Sequence, residues 1–201
     1  MIKNIVFDFG DIFINLDKKR FANELQKLGI SQESEELHPA LHAYEKGLIS
    51  TEDFTVFFKN KLNVSSEKLI NAWNSILLDF PKERLTFIEE LAKSKKYRLF
   101  LLSNTNDLHI SWIKNDWGMD LYNSFKVCFE QFYLSHEINF RKPNNNIYEF
   151  VLNANNLLAE ETLFIDDTKE NTDAAKSLGI NVWHLLPGQD DVVELFTKKH
   201  I

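Results

Sequence analysis

One cysteine, Cys128, stands in 201 residues, so no disulfide can form within the chain. That scarcity speaks for a reducing compartment. No basic cluster is present either: 23 Lys and Arg stand against 30 Asp and Glu, a formal net charge of −7. Nucleic-acid binding as a main role is disfavoured, because contacts to the phosphate backbone supply most of that affinity. No apolar run approaches the ~20 residues that span a bilayer. The first residues run straight into a strand-like stretch, without a basic segment, apolar core and cleavage site. The expectation is a cytoplasmic protein with no membrane or nucleic-acid partner. Repeats and low-complexity tracts are absent, Asn144–Asn146 being too short to count.

What is present is a soluble globular composition, 44% hydrophobic and 26% charged, long enough for one core and a smaller second lobe. Ile5–Phe9 is a continuous apolar run closed by Gly10, the pattern of a strand buried on both faces. Arg98–Leu102, Leu163–Ile165 and Asn181–Leu186 repeat it, and Val127–Phe129 predicts a shorter strand between them. Helical spacing fills the gaps: Leu85, Ile88 and Leu91; Ile147, Val151 and Ala154; Ala174, Ala175 and Leu178. Alternation of this kind predicts a doubly wound parallel α/β sheet. Such sheets bind ligands beyond the carboxyl ends of their strands.

Residues 17–80 contain no convincing strand. Asp17 is a plausible cap for a helix bearing Phe21, Leu25 and Leu28. Ser31 starts a second helix, broken at Pro39 and ending near Gly47; Ser50 or Thr51 caps a third, and Ser65 or Ser66 a fourth. The predicted organisation is a core of residues 1–16 and 81–201 with a helical cap, 17–80, inserted after the first strand. Its hinges fall near Phe13–Leu16 and Leu78–Pro81. A lid of this kind excludes water and reads the leaving group.

Four stretches carry the chemistry: Asp8 in IVFDFGD, Ser103 in LFLLSNT, Lys142 in NFRKP and Asp166-Asp167 in TLFIDDTKEN. Three of them sit at the ends of predicted strands. Singly, such residues are caps, turn formers or solvated loop residues; in this order they are the parts that hold a phosphate and a divalent cation. A carboxylate that attacks phosphorus needs a cation on the phosphoryl oxygens. Asp166 and Asp167 supply further carboxylates, and hard oxygen ligands favour magnesium. Lys142 would neutralise nucleophile and phosphate together, with Ser103 donating to phosphate oxygens.

The set resembles the haloacid dehalogenase-like hydrolases, a superfamily dominated by phosphatases with an aspartyl-phosphate intermediate. The likeness covers nearly the whole chain and is strongest to the branch that hydrolyses glucose 1-phosphate. It implies that Asp8 is nucleophile and metal ligand, that Ser103 and Asn104 contact phosphate, and that Lys142 orients both. It further implies that Asp167 ligates magnesium directly, with Asp166 beside it or acting through water, and that Asn171 supports the metal shell. The substrate implied is a small phosphorylated metabolite, handled by a monomer or homodimer.

One position departs from the family pattern. Where a second Asp usually protonates the leaving oxygen, this chain has Gly10, followed by Asp11. Gly10 still offers a backbone carbonyl to the metal, but a general acid/base is worth ~10²–10⁴-fold in rate. Asp11, a cap group or the substrate takes that role, or turnover is slow or lost. For Asp11 itself the expected role is a turn former pointing away. A phosphate-binding module without turnover and a dehalogenase are the rivals; a carboxylate displacing halide would leave Asp166-Asp167 idle. In the lid His42, Tyr44, Glu45 and Lys46 precede Gly47 and could face the site.

Overall fold

Asn4–Phe7 (β1) is buried along its whole length and pairs on both sides, with Arg98–Ser103 (β2) and Thr162–Asp166 (β4). The computed structural model describes residues 1–30 and 37–199. Gln131–Leu134 (β3) and Asn181–His184 (β5) complete a five-stranded sheet of order β3-β2-β1-β4-β5 in which every pairing is parallel. The sheet grows from β1 first to one side and then to the other. The carboxyl ends of β1 and β4 therefore flank its switch point, where such sheets bind ligands.

Alternation along the strands divides the core into two faces. Ile5, Phe7, Leu101 and Ile165 point to one side, where they pack on helices α5 (Lys82–Ser94), α6 (Asp107–Trp117) and α7 (Met119–Lys126). Val6, Phe100 and Phe164 point to the other, against Ile147, Tyr148 and Val151 of α9 (Asn145–Asn155) and Ala175 of α10 (Lys169–Ser177). The short α8 (Ser135–Ile138) follows β3, and α11 (Leu195–Lys199) closes the described chain. Two faces covered by helices explain why these strands read as unbroken apolar runs.

Between β1 and α5 lie α1 (Lys18–Lys27), α2 (His38–Glu45), α3 (Thr51–Leu62) and α4 (Ser66–Asn74). They share an apolar cluster of their own, with Leu25, Tyr44, Phe54, Phe58, Leu69 and Trp73 at its centre. Asp17, Ser50 and Ser65 accept backbone hydrogen bonds as caps of α1, α3 and α4, each satisfying an otherwise orphaned N–H. The two connecting segments run side by side, tied by Asn15 N–H to Asp79 O at 2.9 Å and Leu78 N–H to Asn15 O at 3.0 Å. Among the described residues no helix is long and apolar enough to cross a membrane.

Several sequence expectations need correction. The strand placed at Val127–Phe129 lies instead at Gln131–Leu134; Val127 is 80% exposed in the turn after α7. Pro39 does not break α2 but sits in its first turn, where its missing N–H costs nothing. Ser31, the proposed start of that helix, lies outside the described residues. The buried stripe of α9 ends on Asn155, Ala154 being exposed. Cys128 is buried, and burial pushes its thiol up to about 11.

Candidate active site

Asp8 follows β1 directly, and its backbone N–H donates to Ile165 O on β4 at 2.8 Å, which seats it at the switch point. Lys142, 1% exposed, reaches the same point from the loop before α9. Its Nζ lies 2.7 Å from Asp8 Oδ1 and 2.6 Å from Asp166 Oδ2. Burial disfavours the lysine's charge, but the two carboxylates outweigh it and hold its pKa above the ordinary value. Asp8 shows the opposite balance. Burial raises its carboxyl to about 7, reinforced by Asp166 and Asp167 and opposed by Lys142.

Asp8, Asp166 and Asp167 bring ligand atoms within 4.8 Å of one another. An all-carboxylate set of this kind fits a hard divalent cation such as magnesium. The three do not have equal freedom. Asp166 accepts from Lys142 Nζ, from Asn171 Nδ2 on both oxygens at 3.1 and 3.0 Å, and from Thr168 N–H at 2.8 Å. Its lone pairs are largely spent, whereas Asp8 and Asp167 each show one lysine-bound oxygen among the described residues. Asn171 stands where it can support the acidic cluster, and Tyr148 Oη fixes its helix by donating to Asn171 O at 2.9 Å.

Asn104 exchanges two hydrogen bonds with the backbone of Lys142: Nδ2 to Lys142 O, and Lys142 N–H to Oδ1, both 2.9 Å. These bonds give Asn104 a role in positioning the lysine loop, with one Nδ2 hydrogen left over. Ser103 is buried at the end of β2, and among the described residues its hydroxyl has only a long contact, 3.5 Å to Asn104 O.

Asp11 is a turn former, as expected, but does not point away. It adopts φ +55°, and its Oδ1 accepts from Leu16 N–H at 3.0 Å. Its Oδ2 pairs with Lys18 Nζ at 2.8 Å, and the same Nζ lies 2.5 Å from Asp167 Oδ2. Partial burial works against the Lys18 charge, yet hydrogen bonds to both carboxylates hold its pKa above the ordinary lysine value. Lys18 escaped the sequence reading. Nothing local marks a lysine in the first turn of a surface helix as the partner of a residue 149 positions away.

Two cavities meet here. The smaller, about 390 Å³, is lined by Asp8, Lys18, Lys142, Asp167 and Asn171. The larger, about 680 Å³, lies between α1, α2, α4 and the ends of β1 and β2, and is walled by Phe21, Leu25 and Trp73 as well as His42, Glu45 and Ser103. Gly10, Leu16, Asn104 and Arg141 border both. Tyr44 is buried in the helical cluster, its hydroxyl 2.9 Å from Thr51 Oγ1. Lys46 lines neither cavity; its carbonyl accepts from Asn139 Nδ2 at 2.7 Å.

Residues 5–185 match the family model for haloacid dehalogenase-like hydrolases. D-ribitol-5-phosphate phosphatase of Bacteroides thetaiotaomicron is 28% identical over 197 residues, covering 94% of this chain and 95% of the relative. Two crystal structures of a HAD-family enzyme from the same organism superpose closely. Its magnesium complex has TM-score 0.84 and 35% identity, covering 98% of this chain and 99% of the other. Its complex with magnesium and inorganic phosphate has TM-score 0.79 and 36% identity, covering 94% and 97%. The glucose 1-phosphate branch is not among these three. With the family model spanning all four site stretches and the sheet that presents them, this chain belongs to the haloacid dehalogenase-like hydrolases.

Proposed function

We propose that the protein is a magnesium-dependent phosphatase that hydrolyses a small phosphomonoester through an aspartyl phosphate on Asp8. One observation carries this reading: Lys142 Nζ, buried, is held between Asp8 and Asp166 beside a three-carboxylate cluster at the switch point. Asp8 and Asp167, with the carbonyl of Gly10, would hold the metal, which when bound neutralises phosphoryl charge and orients the ester. Lys142 keeps Asp8 aimed and balances the charge that gathers as its carboxylate attacks phosphorus. The P–O bond to the leaving group breaks as the Asp8–phosphorus bond forms, and the departing alkoxide takes a proton from solvent; water then attacks phosphorus, returning a proton to solvent and releasing phosphate and the Asp8 carboxylate. Ser103 Oγ supports phosphate oxygens. The helices of residues 17–80 form the cap that shields this chemistry from water. The substrate class is a phosphorylated small metabolite such as a sugar or polyol phosphate, and we place the reaction in the cytoplasm.

Phosphate release from a panel of sugar phosphates and simple phosphomonoesters, with magnesium or chelator, tests the proposal on wild type and Asp8→Asn. Release that needs both magnesium and Asp8 is expected. Release that survives in Asp8→Asn would remove Asp8 as nucleophile.

A second reading, a phosphate-binding module with little turnover, draws on the missing side chain at Gly10. Multiple turnovers per protein molecule in the same assay decide against it.

A further inference from the structure

Arg141 and Glu45 meet across the seam between the inserted helices and the sheet. Arg141 Nε donates to Glu45 Oε2 at 2.5 Å, and both side chains are about a quarter exposed. Both line the larger cavity, and Arg141 also borders the smaller one that holds Asp8 and Lys142. A guanidinium has five N–H donors in a fixed fork, and this bond uses one. Among the described residues, neither the two Nη nitrogens nor Glu45 Oε1 has a protein partner. Donors and an acceptor therefore stand side by side at the junction of the two cavities.

The charge of the pair selects what can dock there. A second phosphate or carboxylate on the leaving group would meet Glu45, and an amine would meet Arg141. Neighbouring hydroxyls satisfy both, each accepting from the guanidinium or donating to the carboxylate. Phe21 and Leu25, with the ring face of Trp73, line the same cavity and suit the carbon face of such a chain. We infer that Arg141 and Glu45 form the leaving-group subsite, and that it takes a neutral polyol whose phosphate sits at Lys142. This inference rests on the phosphatase reading above. It makes Arg141 a specificity residue, one position from the lysine that serves the phosphate, and makes Glu45 the cap's contribution to the same site.

The test compares wild type, Glu45→Ala, Arg141→Lys and Arg141→Gln on D-ribitol 5-phosphate and on 4-nitrophenyl phosphate, which has no leaving-group hydroxyls to bind. The readout is the ratio of kcat/KM on the polyol ester to kcat/KM on the aryl ester, with magnesium present. In Glu45→Ala and Arg141→Gln the ratio is expected to fall by about tenfold or more, chiefly through KM for the polyol ester. Arg141→Lys, which keeps the charge but loses the fork, should fall between wild type and Arg141→Gln. Thermal midpoints establish that each variant is folded, and Glu45→Ala decides alone if the arginine variants are not. A smaller change in the ratio, including an equal loss on both esters, overturns the subsite. Wild type that hydrolyses neither ester with magnesium overturns the phosphatase reading itself. Wild type that is active through Asp8, with variants of unchanged ratio, overturns only the subsite.

Discussion

Leu16 occupies the space that a side chain at Gly10 would need: a Cβ built there stands 2.7 Å from Leu16 Cδ1 and 3.5 Å from Cγ. The backbone at Gly10 has no positive φ, so space and not conformation is the obstacle. The backbone of Leu16 is held by its N–H on Asp11 Oδ1 and by its bridge to Leu77, so room at Gly10 requires the leucine side chain to turn. Glycine and leucine fit each other, and the volume of the family's acid/base is filled. Gly10→Asp alone should therefore gain less than about twofold in kcat, whereas Gly10→Asp with Leu16→Ala should gain about tenfold or more, within the ~10²–10⁴-fold worth of an acid/base. A single variant as active as the double would show that Leu16 is no obstacle.

Asp8 trades stability for reactivity. Its carboxyl is raised to about 7 in the folded, metal-free protein, against 3.8 ordinarily. The folded state thus holds this proton more tightly than the unfolded chain does. That contribution is complete below pH 3.8 and is lost as pH rises through 7. At pH 8 the ionised group works against folding, so Asp8→Asn should raise the metal-free thermal midpoint by about 3–8 °C, the equivalent of roughly 1–3 kcal/mol. The same variant should lose hydrolysis. Magnesium should raise the midpoint of wild type more than that of Asp8→Asn, because the ion binds the ionised carboxylate. A lower midpoint for the variant at pH 8 would reverse the sign assigned to Asp8.

How much of this was legible in the sequence depended on whether a residue's role was local. β1, β2 and β4 were visible because both sheet faces are covered and their residues run apolar without a break. The edge strand β3 was not: Gln131 is exposed, Phe132 and Tyr133 are half-buried, and the apolar run Phe132–Leu134 is no longer than Val127–Phe129 before it. Val127–Phe129 looked more strand-like, but Phe129 is buried by packing on Phe13 and Phe125 within a turn. Asp8, Ser103 and Asp166-Asp167 could be found because strand ends converge whenever the sheet is parallel. Lys18 and Leu16 could not, since their partners are set by how the inserted helices return over the sheet. Arg141 stands beside Lys142 in the NFRKP stretch, yet its bond to Glu45 spans 96 positions and exists only in the folded chain.

His109 supplies a pH prediction. Trp73 O can only accept, so Nε2 at 3.1 Å carries the proton, and Nδ1 accepts from Asn106 Nδ2 at 3.2 Å. Burial lowers the imidazole to about 4; the Trp73 carbonyl opposes this and His136 adds to it. A depressed folded value gives stability that is present above the unfolded pKa of 6.5 and lost as pH falls through 4. Three to four pH units of acidification should cost wild type up to about 3 kcal/mol at this group. Urea unfolding between pH 7.5 and 4 should show a shallower loss for His109→Gln than for wild type. Parallel curves would mean that His109 titrates alike in both states.

The end of α2 is where the inserted helices are fastened to the sheet lobe. Ser135 Oγ lies 2.6 Å from Glu45 O, and Asn139 Nδ2 donates to Lys46 O at 2.7 Å. Gly47 follows at φ +65°, where an added Cβ would come within 2.0 Å of His136 O. The neighbour is backbone, so the clash cannot be relieved by turning a side chain. Gly47→Ala should cost about 3 kcal/mol or more in urea unfolding, and by displacing Glu45 it should also disturb the bond to Arg141. Gly47→Asn separates the two causes. Asparagine tolerates positive φ far better than alanine, so a purely conformational penalty would largely disappear in the asparagine variant. Because the space is filled by the His136 carbonyl, Gly47→Asn should be about as destabilised as Gly47→Ala. A near-wild-type asparagine variant would show that α2 does not press on α8 at this point.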